Sequence, residues 1–271
     1  MKDIETIILN KNKEIKDEYK GCLSVSKLFS NYLKKPFEEE KMAQFCYEKG
    51  LTDPNYKYAN MSVNEILNLW HTKAETSKHY GRLLDNFADL YFNNLNEELE
   101  KFKIDNNFDI DERLKNNCLG VIQFYDFITK MTNYKFVARE VPVYYTTPSG
   151  NKINGRLDFL LYDENTDAYI IIDWKTTENI TISSKYDKLL GPCSLLDDCD
   201  MNIYTLQLHI YKQALVNTYH IASADRISVA VVNLLRKSID EEYKKYYKIF
   251  NQNFEYNYDF INKCIDFGYC I

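Results

Sequence analysis

Two acidic residues and a lysine stand in two short segments of the sequence whose residue types could do chemistry. Asp158 ends Gly155-Arg156-Leu157-Asp158, while Asp173 and Lys175 lie in Ile172-Asp173-Trp174-Lys175-Thr176. Paired carboxylates bind divalent cations, which polarise a phosphate and lower the pKa of an attacking water. A neighbouring ammonium group orients that water or stabilises charge on the phosphate oxygens. These residue types suit metal-dependent phosphodiester hydrolysis.

Two β-strands must position these residues. The runs Leu157 to Leu161 and Tyr169 to Ile172 flank a turn-forming segment, 163–167, which predicts an antiparallel hairpin. Counting back from the turn pairs Asp158 with Asp173, and directly opposed Cβ atoms lie about 4.5–5.5 Å apart, so the two like charges require a cation. Lys175 shares the face of Asp173 because residues two apart on a strand point the same way. The three side chains should converge.

The alternative interpretation of this hairpin is an exposed face with ordinary solvated charges. Against it, Ile170-Ile171-Ile172 is continuously apolar, which is typical of a strand buried on both sides. Unpaired charge is costly in such a strand. The pattern therefore favours the catalytic interpretation.

Three motifs in order carry a family resemblance: G-R-x-D, D-W-K-T, and the Q-x-x-x-Y of Gln207-Leu208-His209-Ile210-Tyr211. Together they resemble the PD-(D/E)XK nuclease superfamily, specifically its RecB-like exonuclease branch. A looser likeness to phage-encoded members extends upstream to Leu23-Ser24-Val25-Ser26 and the segment around Trp70. The resemblance implies a restriction-endonuclease-like α-β-β-β-α-β core and single- or double-stranded DNA as the substrate.

The resemblance also implies a metal site. Asp158, Asp173 and Lys175 would be catalytic, and Asp158, Asp173 and the backbone carbonyl of Trp174 would bind one or two Mg²⁺ or Mn²⁺ ions. Relatives add an upstream helical motif, G-T-x-x-H-x-x-x-E, whose best match here is 81–89, with Asp85 in place of the histidine. A carboxylate there suits Mg²⁺ or Mn²⁺.

Further residues are expected to support the site. Asp85 and Asp89 share one helical stripe, and the alternative is that both are merely solvated acids. Gln207 and Tyr211, four apart, share a helix face from which His209 points away; the alternative is that this pair packs against the sheet. The remaining supporting candidates are Glu140, Arg156 and Thr176.

Composition bounds the class of protein. The chain has 271 residues, of which 45% are hydrophobic and 15% aromatic, ample for a packed core. The net charge of −6 requires any nucleic-acid surface to be local. Lys244-Lys245-Tyr246-Tyr247-Lys248 is a candidate, and a solvated helix face is the alternative.

Cysteine usage and apolar runs bear on location and cofactors. The chain lacks an apolar run of membrane-spanning length and a signal-peptide core, so the expectation is a cytoplasmic protein, in the host cytoplasm if phage-encoded, without membrane association. Seven irregularly spaced cysteines argue against a disulfide framework. Cys264 and Cys270 have no C-x-x-C companion, so an iron–sulfur cluster is not expected.

The organisation along the chain predicts an α/β (α+β) fold with a mixed central sheet flanked by helices. Residues 1–60 are expected to form an N-terminal helical region packed on the core, and 61–271 a nuclease core with a C-terminal helical extension. A helix is predicted over 62–95, opened by a Ser62/Glu65 capping box. Its predicted inner stripe comprises Ile66, Trp70, Ala74, Ser77, Gly81, Leu84, Ala88, Tyr91 and Leu95.

Downstream, helices are predicted over 112–132 and 204–219, strands over 136–145 and 227–234, and a loop or lid over 177–201. The expected function is a metal-dependent DNA nuclease, of exonuclease type, acting in recombination, replication or genome processing, with a protein partner there as a further expectation. Two alternatives stay open: a catalytically inactive module that binds nucleic acid or a protein, and a restriction-type or junction-cleaving enzyme, which needs a dimer for symmetric cuts.

Overall fold

A computed structural model describes residues 4–240 and 242–270 of the chain. Its helices and strands are α1 (Ile4–Ile15), β1 (Leu23–Ser24), α2 (Val25–Leu28), α3 (Glu39–Thr52), α4 (Val63–Phe92), α5 (Asn96–Asp105), α6 (Glu112–Met131), β2 (Tyr134–Thr146), β3 (Lys152–Asp163), β4 (Ala168–Lys175), α7 (Asp200–Asn217), β5 (Ile227–Leu234), β6 (Tyr247–Asn251) and α8 (Tyr258–Phe267). The series α6-β2-β3-β4-α7-β5 has the predicted α-β-β-β-α-β order.

The described strands form one mixed, open, six-stranded sheet, which confirms the predicted α/β (α+β) fold class. β2, β3 and β4 pair antiparallel, β4 and β5 pair parallel, and β6 adds an antiparallel strand beyond β5. The short β1 pairs parallel with the start of β3, Leu23 opposite Ile153. The parallel β4–β5 pair needs a crossover connection, and α7 lies within it.

The register of the β3–β4 hairpin is the predicted one. The pairs run from Asp163 opposite Ala168 to Phe159 opposite Ile172. One step further along the same register brings Asp158 opposite Asp173.

Helices cover both faces of the sheet. α7 packs on the face that carries Ile171, Val229 and Val231, within a core that also takes in α1, α2 and α8. Most of its side chains are buried, as expected for a helix enclosed on several sides. On the opposite face Phe159 meets the ring of Trp174, with centroids 4.6 Å apart. The acidic pair therefore belongs to the face beneath α7.

The chain divides into two compact units. One contains the described residues up to Lys35 and from Leu119 onward, and the other contains Pro36–Cys118. This division differs from the expected boundary between residues 60 and 61. The first residues group with the sheet because Ile4 and Ile8 of α1 are buried in its core. The C-terminal part is not purely helical either, since β6 adds a strand before α8.

The unit Pro36–Cys118 is helical, and α4 dominates it. Ser62 accepts a hydrogen bond from the Glu65 N–H while the Glu65 carboxylate accepts one from the Ser62 N–H, which confirms the capping box. The predicted inner stripe holds only at the helix ends, because residues 71–79 are all exposed, among them Ala74 and Ser77. Helical spacing identified one face of α4, but spacing alone does not show which part of that face is buried.

Other segments also depart from the sequence predictions. Lys244 and Lys245 precede β6 in irregular backbone, so the helix interpretation of that basic segment is wrong. The segment 177–199 has little regular structure, as predicted, yet side-chain bonds order it: Thr181 is bonded to Asp200, and Lys188 pairs with Asp197. Among the described residues, no helix combines the length and apolar character needed to span a bilayer.

Candidate functional site

The site begins where the β3–β4 ladder ends. Beyond Phe159 and Ile172 the backbone N–H of Trp174 donates to Oδ2 of Asp158, at 2.9 Å. The Asp158 side chain thus accepts the bond that a backbone carbonyl would accept if the ladder continued. This bond orients the carboxylate, which is half-buried. Among the described residues none donates a hydrogen bond to Oδ1 of Asp158. One carboxylate oxygen therefore keeps both lone pairs for another partner.

Asp173 lies on the neighbouring strand and is 1% exposed. Nε2 of Gln207 donates to its Oδ1, at 2.9 Å, and Nζ of Lys175 lies 2.6 Å from its Oδ2. The lysine contact is an ion pair. Nζ also lies 5.0 Å from the ring centroid of Tyr204 on α7. The structure thus brings together the two aspartates and the lysine that the sequence singled out.

The electrostatics of the cluster favour a cation. Burial, and then the charge of Asp173, raise the pKa of Asp158 well above its ordinary value. Burial alone would lower the pKa of Lys175, but the charges of Asp173 and Asp158 outweigh it and raise that pKa. Two carboxylates and one ammonium leave a net charge of −1 when all three are ionised. A buried excess of negative charge is the condition that a bound metal ion relieves.

The donor set fits a hard divalent ion in chemistry. Carboxylate oxygens of Asp158 and Asp173 are the ligands that Mg²⁺ and Mn²⁺ prefer, and Mg²⁺ commonly binds through one or two carboxylates plus water and substrate phosphate. Within the ranges 4–240 and 242–270 there is no group of three or more His, Cys, Asp and Glu side chains placed to hold a metal ion. Ligands beyond the two carboxylates would have to come from the backbone, water or substrate.

Glu140 and Arg156 adjoin the acidic pair. Glu140 on β2 has a φ of +50°, a left-handed conformation that is unusual for this residue type in a strand. Its charge contributes to the raised pKa of Asp158, after burial and Asp173. Its carboxylate lies 3.6 Å from the guanidinium of the exposed Arg156. Strained backbone is costly and concentrates at functional sites.

Tyr211, in the third sequence motif, packs against Gly155, in the first. A Cβ atom at Gly155 would lie 2.3 Å from Cε1 of Tyr211, so only glycine lets this ring pack against the strand. Nε2 of Gln207 lies 3.1 Å from the Tyr211 hydroxyl while it bonds to Asp173. The Gln207–Tyr211 pair thus connects the site to the sheet, and it packs there as well. A role for this pair in supporting the reaction stays a prediction.

His209 points away from the site, as predicted. It is fully buried, with Nε2 3.0 Å from Oε1 of Gln252 and its ring against Phe254 and Tyr256. Thr176 directly follows β4. Ligation through the carbonyl of Trp174 stays a prediction, since the structure describes a contact of its N–H group.

Asp85 and Asp89 lie on α4, in the unit Pro36–Cys118, and both are exposed. The aspartates of the sheet belong to the other unit. A role for Asp85 as a metal ligand therefore stays a prediction.

Sequence reasoning missed Asn233. It is 2% exposed on β5, and the pairing places it opposite Lys175 of β4. The available signal was a single polar residue inside the apolar run Val229-Ala230-Val231-Val232-Asn233-Leu234.

Comparisons with known proteins do not show a family for this chain. No protein-family model matches the chain, and no curated protein matches it significantly. Among solved structures it is similar to a chain titled "Crystal structure of SSO0001", at 12% sequence identity, over 70% of this chain and 73% of that chain, with a TM-score of 0.31. A likeness of that strength carries no argument about function.

Proposed function

We propose that this chain is a metal-dependent DNA nuclease, of exonuclease type. The observation that carries the proposal is the cluster of Asp158, Asp173 and Lys175: the ammonium of Lys175 lies 2.6 Å from the buried carboxylate of Asp173, whose charge also acts on the half-buried Asp158. Two acids beside one ammonium group have a net negative charge when all three are ionised, and such an imbalance is costly where water is largely excluded. The order of the three sequence motifs supports the same function.

Each residue has a distinct part in the proposed reaction. Asp158 and Asp173 would hold the Mg²⁺ or Mn²⁺, which would polarise the scissile phosphate and lower the pKa of a bound water. Lys175 places its ammonium beside the attacked phosphate, where it stabilises the developing negative charge. Gln207 keeps the Asp173 carboxylate oriented through Oδ1, and Tyr211 supports Gln207.

The exposed Arg156 offers a contact for the DNA backbone. It lies two residues before Asp158 on β3. Its guanidinium lies 3.6 Å from the carboxylate of Glu140, and its side chain is 65% exposed. A planar guanidinium suits bidentate contact with a phosphate. This local cation offsets the unfavourable net charge of the chain.

Cleavage of end-labelled linear DNA and of circular DNA, with Mg²⁺ or Mn²⁺, tests the proposal. We expect cleavage of linear DNA that disappears on chelation and in Asp173→Asn and Lys175→Met. The matched control is Asp126→Asn, which removes an equally charged group that pairs with Lys130 on α6. Undiminished cleavage in the Asp173 and Lys175 variants would refute the assignment. Cleavage of circular DNA would replace the exonuclease with an endonuclease, and Asp85→Asn tests the candidate ligand on α4.

A second candidate function is a nuclease-like module that binds nucleic acid or a protein without cutting. The observation in its favour is the lack, among the described residues, of a third acidic or histidine ligand grouped with the two aspartates. Calorimetry with Mn²⁺ separates the two functions. The nuclease should bind the ion and lose binding in Asp158→Asn, whereas the inert module should bind none.

A further inference from the structure

Asn233 holds a buried polar atom without a partner. The residue is 2% exposed, and no described residue donates a hydrogen bond to its Oδ1. A buried acceptor left unpaired costs about 1–3 kcal/mol, which is why such groups are rare in native proteins. An isosteric leucine would avoid the cost. The amide is therefore a feature that packing alone does not explain.

The register of the sheet places this acceptor beside the lysine of the site. Asn233 on β5 is the partner of Lys175 in the parallel ladder, and Val231 is the partner of Asp173. Partners in a ladder share a face, and neighbouring strands lie about 4.7–4.9 Å apart. Asp158, Asp173, Lys175 and Asn233 thus form one row across β3, β4 and β5. The row ends at the unpaired Oδ1.

Both oxygens of the Asp173 carboxylate have a contact in the metal-free protein. Nζ of Lys175 lies 2.6 Å from Oδ2 of Asp173, while Oδ1 of Asp173 already accepts from Gln207. Lys175 would share the Asp173 carboxylate with any divalent ion that Asp173 holds, and two cations at one carboxylate repel each other. The displaced ammonium then needs another acceptor, because leaving it unpaired in a largely buried site is costly.

We propose that Oδ1 of Asn233 is that acceptor, so that Lys175 passes from Asp173 to Asn233 when a divalent cation binds. The inference rests on the proposed function and deepens it. Asn233 is a positioning residue that holds the amine beside the cation for the reaction. The cost of its unpaired oxygen in the metal-free protein is recovered in the metal-bound protein, which raises the affinity for the ion.

Asn233→Leu tests this by two measurements that move in opposite directions. The metal-free variant should unfold at an equal or higher urea concentration, because an unpaired buried acceptor is replaced by an apolar group of similar shape. Its Mn²⁺ affinity, measured by calorimetry on the full chain, should fall about tenfold, equivalent to about 1.4 kcal/mol. Asn233→Asp, which keeps an acceptor, should retain the affinity.

A double-mutant cycle with Lys175→Met identifies the group that the amide serves. In the Lys175→Met background no ammonium needs an acceptor, so Asn233→Leu should leave the Mn²⁺ affinity unchanged. The matched control background is Lys248→Met, because Lys248 on β6 is the other ladder partner of Asn233 and its Nζ lies 4.6 Å from the ring centroid of Phe250. There the tenfold loss should persist.

Three outcomes overturn the inference. One is unchanged Mn²⁺ affinity in Asn233→Leu, the result for an amide satisfied by water alone. Another is an equal loss in the Lys175→Met background, which would indicate direct ligation or damaged packing. The third is an effect that vanishes only with Lys248→Met. If Asn233→Leu does not fold, Asn233→Ala carries the same cycle. Failure of the proposed function is distinct, since the wild-type chain would then bind no Mn²⁺.

Discussion

Gly155→Ala should damage stability and the site together, because it adds a methyl group where an aromatic ring lies. The new Cβ would stand 2.3 Å from Cε1 of Tyr211 and 3.2 Å from Cγ2 of Val25. Carbon atoms in favourable contact stand about 3.5–4.0 Å apart, so the ring or the strand must move by more than an ångström. Tyr211 is 4% exposed within the core and cannot swing into solvent. Overpacking of this kind costs about 1–3 kcal/mol.

The same displacement should reach the acidic pair. The Tyr211 hydroxyl lies 3.1 Å from Nε2 of Gln207, and that nitrogen donates to Oδ1 of Asp173. A shifted ring therefore moves the amide that orients the carboxylate. We expect Gly155→Ala to lower the free energy of unfolding in urea by about 2 kcal/mol. We also expect it to reduce Mn²⁺ affinity by calorimetry.

Two variants make this test specific. Gly81→Ala is the matched control, since a Cβ there meets nothing within 4 Å and the residue lies in a helix, where alanine is favoured by about 0.5–1 kcal/mol. Combining Gly155→Ala with Tyr211→Leu should cost less than the sum of the two single changes, because leucine makes room for the methyl group. Additive losses, or a Gly155→Ala protein with wild-type stability and affinity, would refute the reasoning.

Three further predictions concern stability. Burial lowers the pKa of His209 to about 4 from 6.5, so between these pH values the unfolded chain binds a proton that the folded chain does not. The free energy of unfolding should therefore fall by about 2 kcal/mol from pH 7 to pH 5, and by less in His209→Leu. Urea unfolding at each pH measures the difference. Glu140→Gly should be about 1 kcal/mol more stable than Glu140→Ala, because only glycine accepts a φ of +50° without strain; equal midpoints contradict this. Ser62→Ala should cost about 1 kcal/mol through loss of the capping box, with loss of helical circular dichroism at lower urea as the readout.

The sequence alone determined the hairpin and the acids on it. Alternation of side chains is a local property of a strand, so the apolar runs and the turn predicted the register that the structure has from Asp163 opposite Ala168 to Phe159 opposite Ile172. The i,i+4 spacing likewise put Gln207 and Tyr211 on one helix face with His209 opposed. The capping box was readable because its partners are three residues apart.

Sequence patterns did not indicate which distant groups contact those acids. The approach of Gln207 to Asp173, the fit of Tyr211 against Gly155, and the register that sets Asn233 beside Lys175 all depend on how α7 and β5 pack on the hairpin. The left-handed backbone at Glu140 and the exposed middle of α4 were equally hidden. Local patterns specify which face of a helix or strand a residue occupies. The element that packs against that face depends on long-range contacts, which no single segment of the sequence specifies.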